Sequence, residues 1–474
     1  MNRLLLTLLF IPQLLMAKVD VANLKTENLV NPLGIDVEAP RFSWQITSDM
    51  QDVVQQAYQI IVSSDGQEIW NSGKVASNQQ LWIPYQGTAL KSNQHCSWQV
   101  KVFTNKGESA WSSPQQFSMG LLNESKWKGR WIGLERLQAD EHRGKHARLA
   151  ARYLRHEFSL SKQVKRATAF VAGLGLYELR LNGEKVGDEV LTPVPSDYRK
   201  TIYYNTYDVT SLLQKDNCIG IILGNGRWFA MRQDKPYKNT TFGLPKCRIN
   251  LIVEYTDGTK DCIQTDEKWK ITTDGPIRAN NEYDGEEYDA RKEMQGWDTF
   301  GFDDSKWLQA ERAALPTGTL RAQMTPSMKS TLPRKGKGSG IIDFGQNLAG
   351  WVSFLPQGKE GDTIRIRYAE RLNDDGSLYT DNLRSARSED IYVCGKQNQR
   401  WHPTFVYHGF RYVEIKGDVS DVEAHLIADD MQTIGSFACS DTILNKVMQN
   451  AWWGIADNYK GMPIDCPQRD EHRR

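Results

Sequence analysis

The sequence lacks an excess of charge of either sign. Its 59 Lys and Arg residues nearly balance its 58 Asp and Glu residues, which leaves a formal charge of +1 at pH 7. Proteins that bind nucleic acids or anionic membranes usually carry a clear basic excess. The balance therefore argues against both kinds of partner and leaves neutral, hydroxyl-rich ligands as the open class.

Motifs for metal and nucleotide binding are also missing. The eight His residues are scattered, and the sequence contains no HExxH motif and no paired CxxC motifs, so it predicts no transition-metal site. Seven widely spaced Cys residues in a chain of 474 residues do not form the pattern of a disulfide framework. One pair could still form a bridge in an oxidising compartment, but the sequence does not identify it.

Long apolar runs are absent except at the N-terminus. Arg3 precedes an apolar run over residues 4–16, which is followed by the small residue Ala17 and by Lys18. This order is typical of a cleavable secretory signal peptide, and the run is shorter than the ~20 residues that span a bilayer. We therefore predict a secreted or periplasmic protein that is cleaved near Ala17 and does not insert into the membrane. A buried first strand is the alternative.

Most of the remaining sequence shows the two-residue alternation of β-strands. Trp98, Val100 and Val102 alternate with polar residues. Asn182-Gly183 and Asp257-Gly258 each lie between alternating segments, where they predict hairpin turns. Three β-rich blocks follow one another, and the polar, glycine-rich stretch around residues 333–340 is predicted to be a linker.

One segment shows the periodicity of an amphipathic helix. Apolar side chains recur at helical spacing at Leu444, Met448, Trp452, Ile455 and Tyr459. Ser440 or Asp441 can cap its N-terminus, while Gly461 and Pro463 end it. A single amphipathic helix cannot bury its own apolar face. It therefore either packs on the β domains or begins an α-helical domain that this sequence does not complete, and we favour the second.

A cluster of ionisable residues follows this helix in the sequence "DCPQRDE". It contains Asp465, Arg469, Asp470 and Glu471. Hydrolysis of a glycosidic bond requires one protonated carboxyl group and a second carboxylate, and crowded carboxylates raise one another's pKa. A charge cluster of this kind is more often a solvated surface, and the residues alone do not decide between the two interpretations.

The stretch from Gly435 to Glu471 resembles the start of the catalytic domain of bacterial α-L-rhamnosidases, glycoside hydrolase family 78. The matching positions are Gly435, Phe437, Asn445, Trp453, Asn458 and 465–471. The resemblance implies that Glu471 is the general acid, that Asp465 and Arg469 line the rhamnose pocket, and that Asp470 supports the same site. Residues 462–464 and His472 depart from the usual family sequence without removing these groups.

The resemblance extends over the whole chain after the signal peptide. It is carried by segments such as "NPLGID", "LNGEKVGDEVLTP", "DFGQNLAGWV" and "HGFRYVE". It implies a mainly β protein of three tandem sandwiches followed by the first helix of an incomplete (α/α)6 barrel. The expected domains are a fibronectin- or immunoglobulin-like sandwich at 18–126, a jelly-roll, carbohydrate-binding-like sandwich at 127–330, a concanavalin-like domain at 331–432 and the start of the barrel at 433–474.

The resemblance also implies a reaction, namely inverting hydrolysis of terminal α-L-rhamnose from glycans or glycosides. Inversion requires a catalytic base as well as the acid, and the family places that base on a later helix. We therefore expect this chain alone to be inactive. The alternative is a non-catalytic carbohydrate-binding or adhesion protein built from tandem β-sandwiches.

A secondary sugar site is a weaker expectation in the second β block. Asp197, Tyr198, Asn225 and Trp228 combine aromatic faces with polar groups, as pyranose sites do. Some relatives hold rhamnose through Ca²⁺ in this domain, so the resemblance leaves a calcium ion open here, although no cofactor is required for the reaction. Packing of the aromatic residues in the core is the competing interpretation.

Overall fold

The computed structural model describes residues 18–139, 141, 148–230, 241–397 and 399–469. The predicted signal peptide, together with Asp470 and Glu471, lies outside the described residues. Two compact units divide the chain, one ending at Leu122 and the other beginning at Asn123. No helix of the described part is long and apolar enough to cross a membrane.

The first unit is the predicted immunoglobulin-like sandwich. Its strands are β1 Val19–Thr26, β2 Arg41–Ser48, β3 Gln55–Ser64, β4 Gln67–Asn71, β5 Ile83–Pro84, β6 His95–Thr104, β7 Gly107–Glu108 and β8 Gln115–Ser118. One sheet has the order β1-β2-β5, and the other has the order β4-β3-β6-β7 with β8 paired to β6. The alternation in β6 buries Trp98, Val100 and Val102. Trp98 packs 4.5 Å from Phe42 of the opposite sheet, which joins the two layers.

The described part of residues 123–322 contributes fifteen strands. They are β9 Ile132–Gly133, β10 Arg152–Ser159, β11 Val164–Leu174, β12 Leu176–Leu181, β13 Glu184–Lys185, β14 Thr201–Asp208, β15 Asp216–Gly224, β16 Lys246–Tyr255, β17 Lys260–Gln264, β18 Lys270–Thr272, β19 Ile277–Asn281, β20 Gly285–Asp289, β21 Leu308–Gln309, β22 Glu311–Arg312 and β23 Thr319–Ala322. Thirteen of them form a six-stranded sheet, β13-β12-β15-β10-β18-β21, and a seven-stranded sheet, β22-β9-β16-β11-β14-β23 with β17 on β16.

Both hairpin turns predicted in this block are confirmed. Asn182 and Gly183 have φ angles of 54° and 89° between β12 and β13. Gly258 has a φ of 83° between β16 and β17. A two-residue turn of the Asn-Gly type requires positive φ angles at both residues, and the three-residue loop between Tyr255 and Thr259 requires one at its glycine, so the local sequence determines both turns.

Residues 328–429 supply the remaining strands. These are β24 Met328–Lys335, β25 Ile341–Pro356, β26 Thr363–Ala369, β27 Arg371–Leu372, β28 Leu378–Tyr379, β29 Glu389–Val393, β30 His408–Lys416 and β31 Val419–Asp429. An eight-stranded sheet has the order β19-β20-β29-β26-β30-β25-β31-β24, and β27 pairs with β28.

The structure divides the chain differently from the sequence at two places here. The β19–β20 hairpin lies within the range predicted for the jelly-roll domain, but β20 pairs in parallel with β29 of the eight-stranded sheet. The linker predicted around residues 333–340 is wrong over its first part, because β24 runs to Lys335 and pairs with β31. Only residues 336–340 form a connection, and Gly338 and Gly340 have positive φ angles there.

The predicted helix is confirmed as α1, Thr442–Asn458. The carboxylate of Asp441 caps it by accepting hydrogen bonds from the backbone N–H groups of Ile443 and Leu444. Ala456 and Trp453 pack into the core of the eight-stranded sheet. The other apolar side chains of α1 are exposed, including Ile443, Leu444, Val447, Met448, Trp452 and Ile455. Four short 3-10 turns complete the helices, Glu124–Lys126, Thr210–Leu212, Ala290–Lys292 and Asp381–Leu383.

Gly350 provides a test of how closely the central strands approach. It lies in β25 between β30 and β31, and a Cβ atom at this position would overlap the backbone oxygen of His425. We expect Gly350→Ala to lower the free energy of unfolding of the second unit by about 1–3 kcal/mol, because a rigid strand has to move. Calorimetric unfolding measures the change. Gly435→Ala is the matched control, since no atom lies within 4 Å of its added Cβ, and equal stability of the two variants would contradict the prediction.

Candidate active site

The candidate site is the loop that follows α1 and carries the "DCPQRDE" residues. Its first part folds back beside the helix end, because Ile464 donates its backbone N–H to the carbonyl of Asn458 at 2.7 Å and Lys460 donates to Met462 at 3.1 Å. Gly461 forms the corner with a φ of 73°, a conformation that glycine adopts without strain.

Asp429 holds this corner against the end of β31. Its two carboxylate oxygens accept from the backbone N–H of Gly461 at 2.7 and 2.9 Å, and burial raises the pKa of Asp429. A Cβ atom on residue 461 would overlap the side chain of Val194. The corner is therefore restricted to glycine by its dihedral angle and by its neighbour.

Two buried ionisable groups hold the helix end. The carboxylate of Asp457 accepts from the backbone N–H of Ala349 in β25 at 2.8 Å. The ammonium group of Lys460 donates to the carbonyls of Ala456 and Asp457 at 3.2 and 3.0 Å, and it lies 5.6 Å from the ring centroid of Tyr407. Burial lowers the pKa of Lys460 and raises that of Asp457. A cation at the C-terminal carbonyls also complements the helix dipole.

The second part of the loop lies directly on β30. Ile464 joins an apolar cluster with Ala349, Trp351 and Tyr407. Four residues later the backbone of Gln468 crosses Gly409, where a Cβ atom on residue 409 would lie 2.8 Å from the Cβ of Gln468 and 3.0 Å from its backbone nitrogen. The absence of a side chain at position 409 thus allows the loop to approach the sheet.

A buried polar network lies beneath this contact. His408 Nε2 is 3.1 Å from each carboxylate oxygen of Asp390, and the hydroxyl of Tyr368 donates to the same carboxylate at 2.6 Å. The Tyr368 ring stacks on the His408 ring at 4.0 Å, and Ser388 Oγ is 3.3 Å from His408 Nδ1. All four side chains are buried. Fully paired buried groups of this kind make the strand beneath the loop rigid.

Sequence reasoning missed the residues of the sheet that hold the loop. Asp390, Gly409 and Asp429 lie 36–75 residues before Asp465, and no spacing rule connects them to the motif. The segment "HGFRYVE", which contains both His408 and Gly409, is the sequence signal that could have pointed to them.

The structure brings together the two predicted site residues that it describes. A guanidinium nitrogen of Arg469 lies 3.8 Å from a carboxylate oxygen of Asp465. The Asp465 carboxylate is 70% exposed, and Cys466 Sγ lies 3.5 Å from it. The loop therefore presents a carboxylate and a guanidinium group side by side, an arrangement that can accept from and donate to sugar hydroxyl groups. Asp470 and Glu471 lie outside the described residues.

The four residues of the predicted secondary sugar site do not converge on one exposed surface. Tyr198 and Trp228 meet edge to face at 5.4 Å, and both are buried. Asn225 is also buried and donates from its side-chain amide to the carbonyl of Asn280 at 2.7 Å. The exposed carboxylate of Asp197 pairs with Arg199 at 3.3 Å. The observed contacts are those of core packing and turn formation, and sugar binding here stays a prediction.

The described residues contain neither a disulfide nor a metal cluster. All seven Cys residues belong to the described part and none is bonded to another. Burial raises the pKa of Cys96 and Cys218 to about 11, which makes these thiols poor nucleophiles. Within the described ranges no group of three or more His, Cys, Asp or Glu side chains could hold a metal ion, so the calcium ion stays a prediction.

Four family models match consecutive parts of the chain. They are the Rha78A-like N-terminal immunoglobulin domain at residues 21–123, the α-L-rhamnosidase N-terminal domain at 162–332, the bacterial α-L-rhamnosidase concanavalin-like domain at 333–433 and the bacterial α-L-rhamnosidase six-hairpin glycosidase domain at 432–473.

Similar proteins and structures carry the same family name. A curated α-L-rhamnosidase from Formosa agariphila is 38% identical over 93% of this chain and 51% of its own length. Another curated α-L-rhamnosidase, from an Alteromonas species, is 35% identical over 94% of this chain and 51% of its own length. The structure of α-L-rhamnosidase from Dictyoglumus thermophilum has a TM-score of 0.88 and 38% identity, and the match covers 95% of this chain and 53% of that one. The Streptomyces avermitilis α-L-rhamnosidase complexed with L-rhamnose has a TM-score of 0.88 and 26% identity, with coverage of 96% and 62%. The chain spans about half the length of the curated relatives it matches.

Gly409→Ala tests whether the contact with Gln468 holds the loop. The added Cβ should displace Gln468 and expose the nearby thiol of Cys466. We expect alkylation of Cys466 by iodoacetamide to become about tenfold faster, the change that corresponds to ~1.4 kcal/mol of lost local stability. Peptide mass spectrometry measures the rate, with the exposed Cys439 as internal reference and Gly435→Ala as control variant. An unchanged Cys466 rate would show that the contact does not hold the loop.

Proposed function

Because this chain belongs to the bacterial α-L-rhamnosidases, we propose that it takes part in the inverting hydrolysis of terminal, non-reducing α-L-rhamnose from oligosaccharides, polysaccharides or glycosides. One observation carries the proposal. The described part of the "DCPQRDE" loop is fixed to the concanavalin-like sheet at Gly461, Ile464 and Gln468, so a catalytic motif has a rigid support.

In the proposed reaction Glu471 donates its proton to the glycosidic oxygen while the bond between this oxygen and the anomeric carbon breaks. Glu471 follows Gln468 by three residues, which span at most about 11 Å of chain. Anchoring of Gln468 on Gly409 therefore restricts the volume that the acid can reach. Asp465 and Arg469, which the structure holds together, would bind the rhamnose hydroxyl groups, and Asp470 would support the same site.

The second half of the reaction requires a base. A carboxylate on the opposite face of the sugar takes a proton from water, and the resulting hydroxide attacks the anomeric carbon with inversion. The family resemblance places this base on a later helix of the six-hairpin domain. We therefore propose that the 474-residue chain by itself has no turnover.

The exposed side of α1 supports this proposal. Its apolar residues, such as Leu444, Val447 and Ile455, face away from the sheet and are exposed. In a six-hairpin glycosidase domain this side would pack on further helices, as an amphipathic helix requires. In a carbohydrate-binding protein made only of β-sandwiches, no further helix would cover this apolar side of α1.

Substitution of the acid gives a test that also identifies its role. In a protein that continues this chain through a complete six-hairpin domain, Glu471→Gln should lower kcat by about 10²–10⁴-fold on alkyl rhamnosides, because the leaving alcohol needs a proton. The loss should be much smaller on p-nitrophenyl rhamnoside, whose leaving group departs without one. Steady-state kinetics on both substrates measure the difference.

Two controls accompany this measurement. Glu267→Gln replaces an exposed carboxylate far along the chain that pairs with Arg130, and it should leave both rates unchanged. The 474-residue chain should hydrolyse neither substrate. An equal loss on both substrates for Glu471→Gln would contradict a role as general acid, and robust turnover by the shorter chain would contradict the need for a later base.

We further propose that the protein is exported with cleavage near Ala17. The support is the order of Arg3, the apolar run and the small residue in the sequence. After expression in a bacterium, mass spectrometry of the exported protein should find Lys18 at the N-terminus. Deletion of residues 4–16 is the control and should leave the protein in the cytoplasm. An exported protein that retains its first residues would argue instead for an uncleaved segment.

A further inference from the structure

A cavity whose lining includes no residue of the candidate active-site loop lies within the unit that begins at Asn123. It is a partly open cleft of about 530 Å³ between the six-stranded sheet and the residues that precede β30. Sites for small molecules usually measure ~300–1,000 Å³ and often occur where two domains meet. The cavity thus has the size and the position of a ligand site.

Charged groups with fixed positions form one wall. The guanidinium group of Arg180 donates to Asp298 at 2.5 Å, to Glu178 at 2.9 Å and to the carbonyl of Gly183 at 2.9 Å. Asp298 is buried, and all four residues line the cavity. Because these groups hold one another, a ligand would meet them already oriented, without the entropic cost of ordering them.

Amide groups surround the mouth of the cavity. Gln295, Gln397 and Gln399 line it and are exposed. Their side-chain amides have no hydrogen-bond partner within the described part of the chain. Each amide offers two donors and an acceptor, the groups that hydroxyl-rich ligands require.

Apolar ring surface completes the wall. Tyr288 is partly exposed and stacks on Tyr392 with 5.6 Å between the ring centroids, whereas Trp297 and Tyr153 meet edge to face at 5.3 Å and are buried. Tyr288, Trp297 and Tyr153 line the cavity, and Tyr288 offers most of the accessible ring surface. A mixture of ring carbon atoms, carboxylates and amides matches the alternating C–H and O–H surfaces of a sugar.

The charges of the wall select among sugars. Glu178, Glu293 and Asp298 contribute three carboxylates, while Arg180 is the one cation among the described lining residues. Lys185 Nζ also lies 3.8 Å from a carboxylate oxygen of Glu178, so one negative charge remains in excess. An anionic sugar, such as a uronate, would be repelled by this excess of negative charge. A neutral sugar would not, and its hydroxyl groups can donate to the carboxylates.

We propose that this cavity binds neutral sugar units of a glycan, separately from the candidate active site. The choice of rhamnose-containing sugars as probes rests on the proposed function, whereas the preference for neutral over anionic sugars rests on the cavity alone. Such a site would hold a glycan chain on the protein while its terminal residue is cleaved elsewhere.

Isothermal titration calorimetry of the full 474-residue chain tests the proposal. We expect neutral oligosaccharides containing L-rhamnose to bind with a Kd of about 0.1–10 mM, which corresponds to a weak, readily reversible complex. Galacturonic acid should not bind. The double substitution Gln295→Ala and Gln399→Ala should weaken binding by about ten- to hundredfold. Both side chains are exposed, so the variant should fold. Gln309→Ala with Gln357→Ala replaces two exposed glutamines elsewhere and should not change the affinity.

A second variant tests the charge argument. Glu178→Gln removes one carboxylate and should make the affinities for neutral and anionic sugars more similar. Its folding is checked by comparison of its unfolding transition with that of the parent chain.

The proposal is overturned if no neutral sugar binds, if the double variant binds as well as the parent, or if binding is lost in Asp465→Asn but kept in the double variant. The last result would place the binding at the candidate active site. Sugar binding that depends on Gln295 and Gln399, in a protein whose extended form hydrolyses no rhamnoside, would refute the proposed function and leave this site intact.

Discussion

The position of the candidate active-site loop depends most on one contact, in which the backbone at Gln468 passes directly over Gly409 of β30. A side chain at position 409 would come within 3.0 Å of the loop backbone, so the loop can rest on β30 only because that strand carries glycine there. The hydrogen bonds from Gly461 to Asp429 and from Ala349 to Asp457 act on the same segment. Together they convert a charged sequence into a loop of defined position.

The strand beneath the loop shows why such a position can be maintained. Burial of the carboxylate of Asp390 without partners would cost several kcal/mol. Here His408, Tyr368 and the backbone N–H of Glu286 all contact it, so a shift of the strand that broke these contacts would leave a buried carboxylate without partners. The resulting rigidity is what a general acid needs, because its proton has to reach one particular oxygen.

Local features of the fold were predictable from the sequence, while long-range pairings were not. Asn182-Gly183 determines its hairpin through backbone conformation, and Asp441 determines the start of α1 through its carboxylate. By contrast, nothing in the sequence of β20 identifies its partner, β29, which lies about a hundred residues later. The same reason explains the site. The motif residues were recognisable as a cluster in sequence, but Asp429, Gly409 and Asp390 act on it only through the folded sheet.

The segment that enters β30 links the loop to the sugar cavity. Thr404 lines the cavity, and Phe405 packs with Trp297 and Tyr153. Gly409, which supports the loop, follows Thr404 by five residues, so the two Cα atoms are at most about 17 Å apart. Glu286 of the β19–β20 hairpin fixes the start of this segment by accepting from the backbone N–H groups of Thr404 and Phe405, both at 2.9 Å. The hairpin that the sequence assigned to the neighbouring domain therefore holds the start of the segment that runs from the cavity to the loop, and a glycan that occupied both sites would have to span this segment.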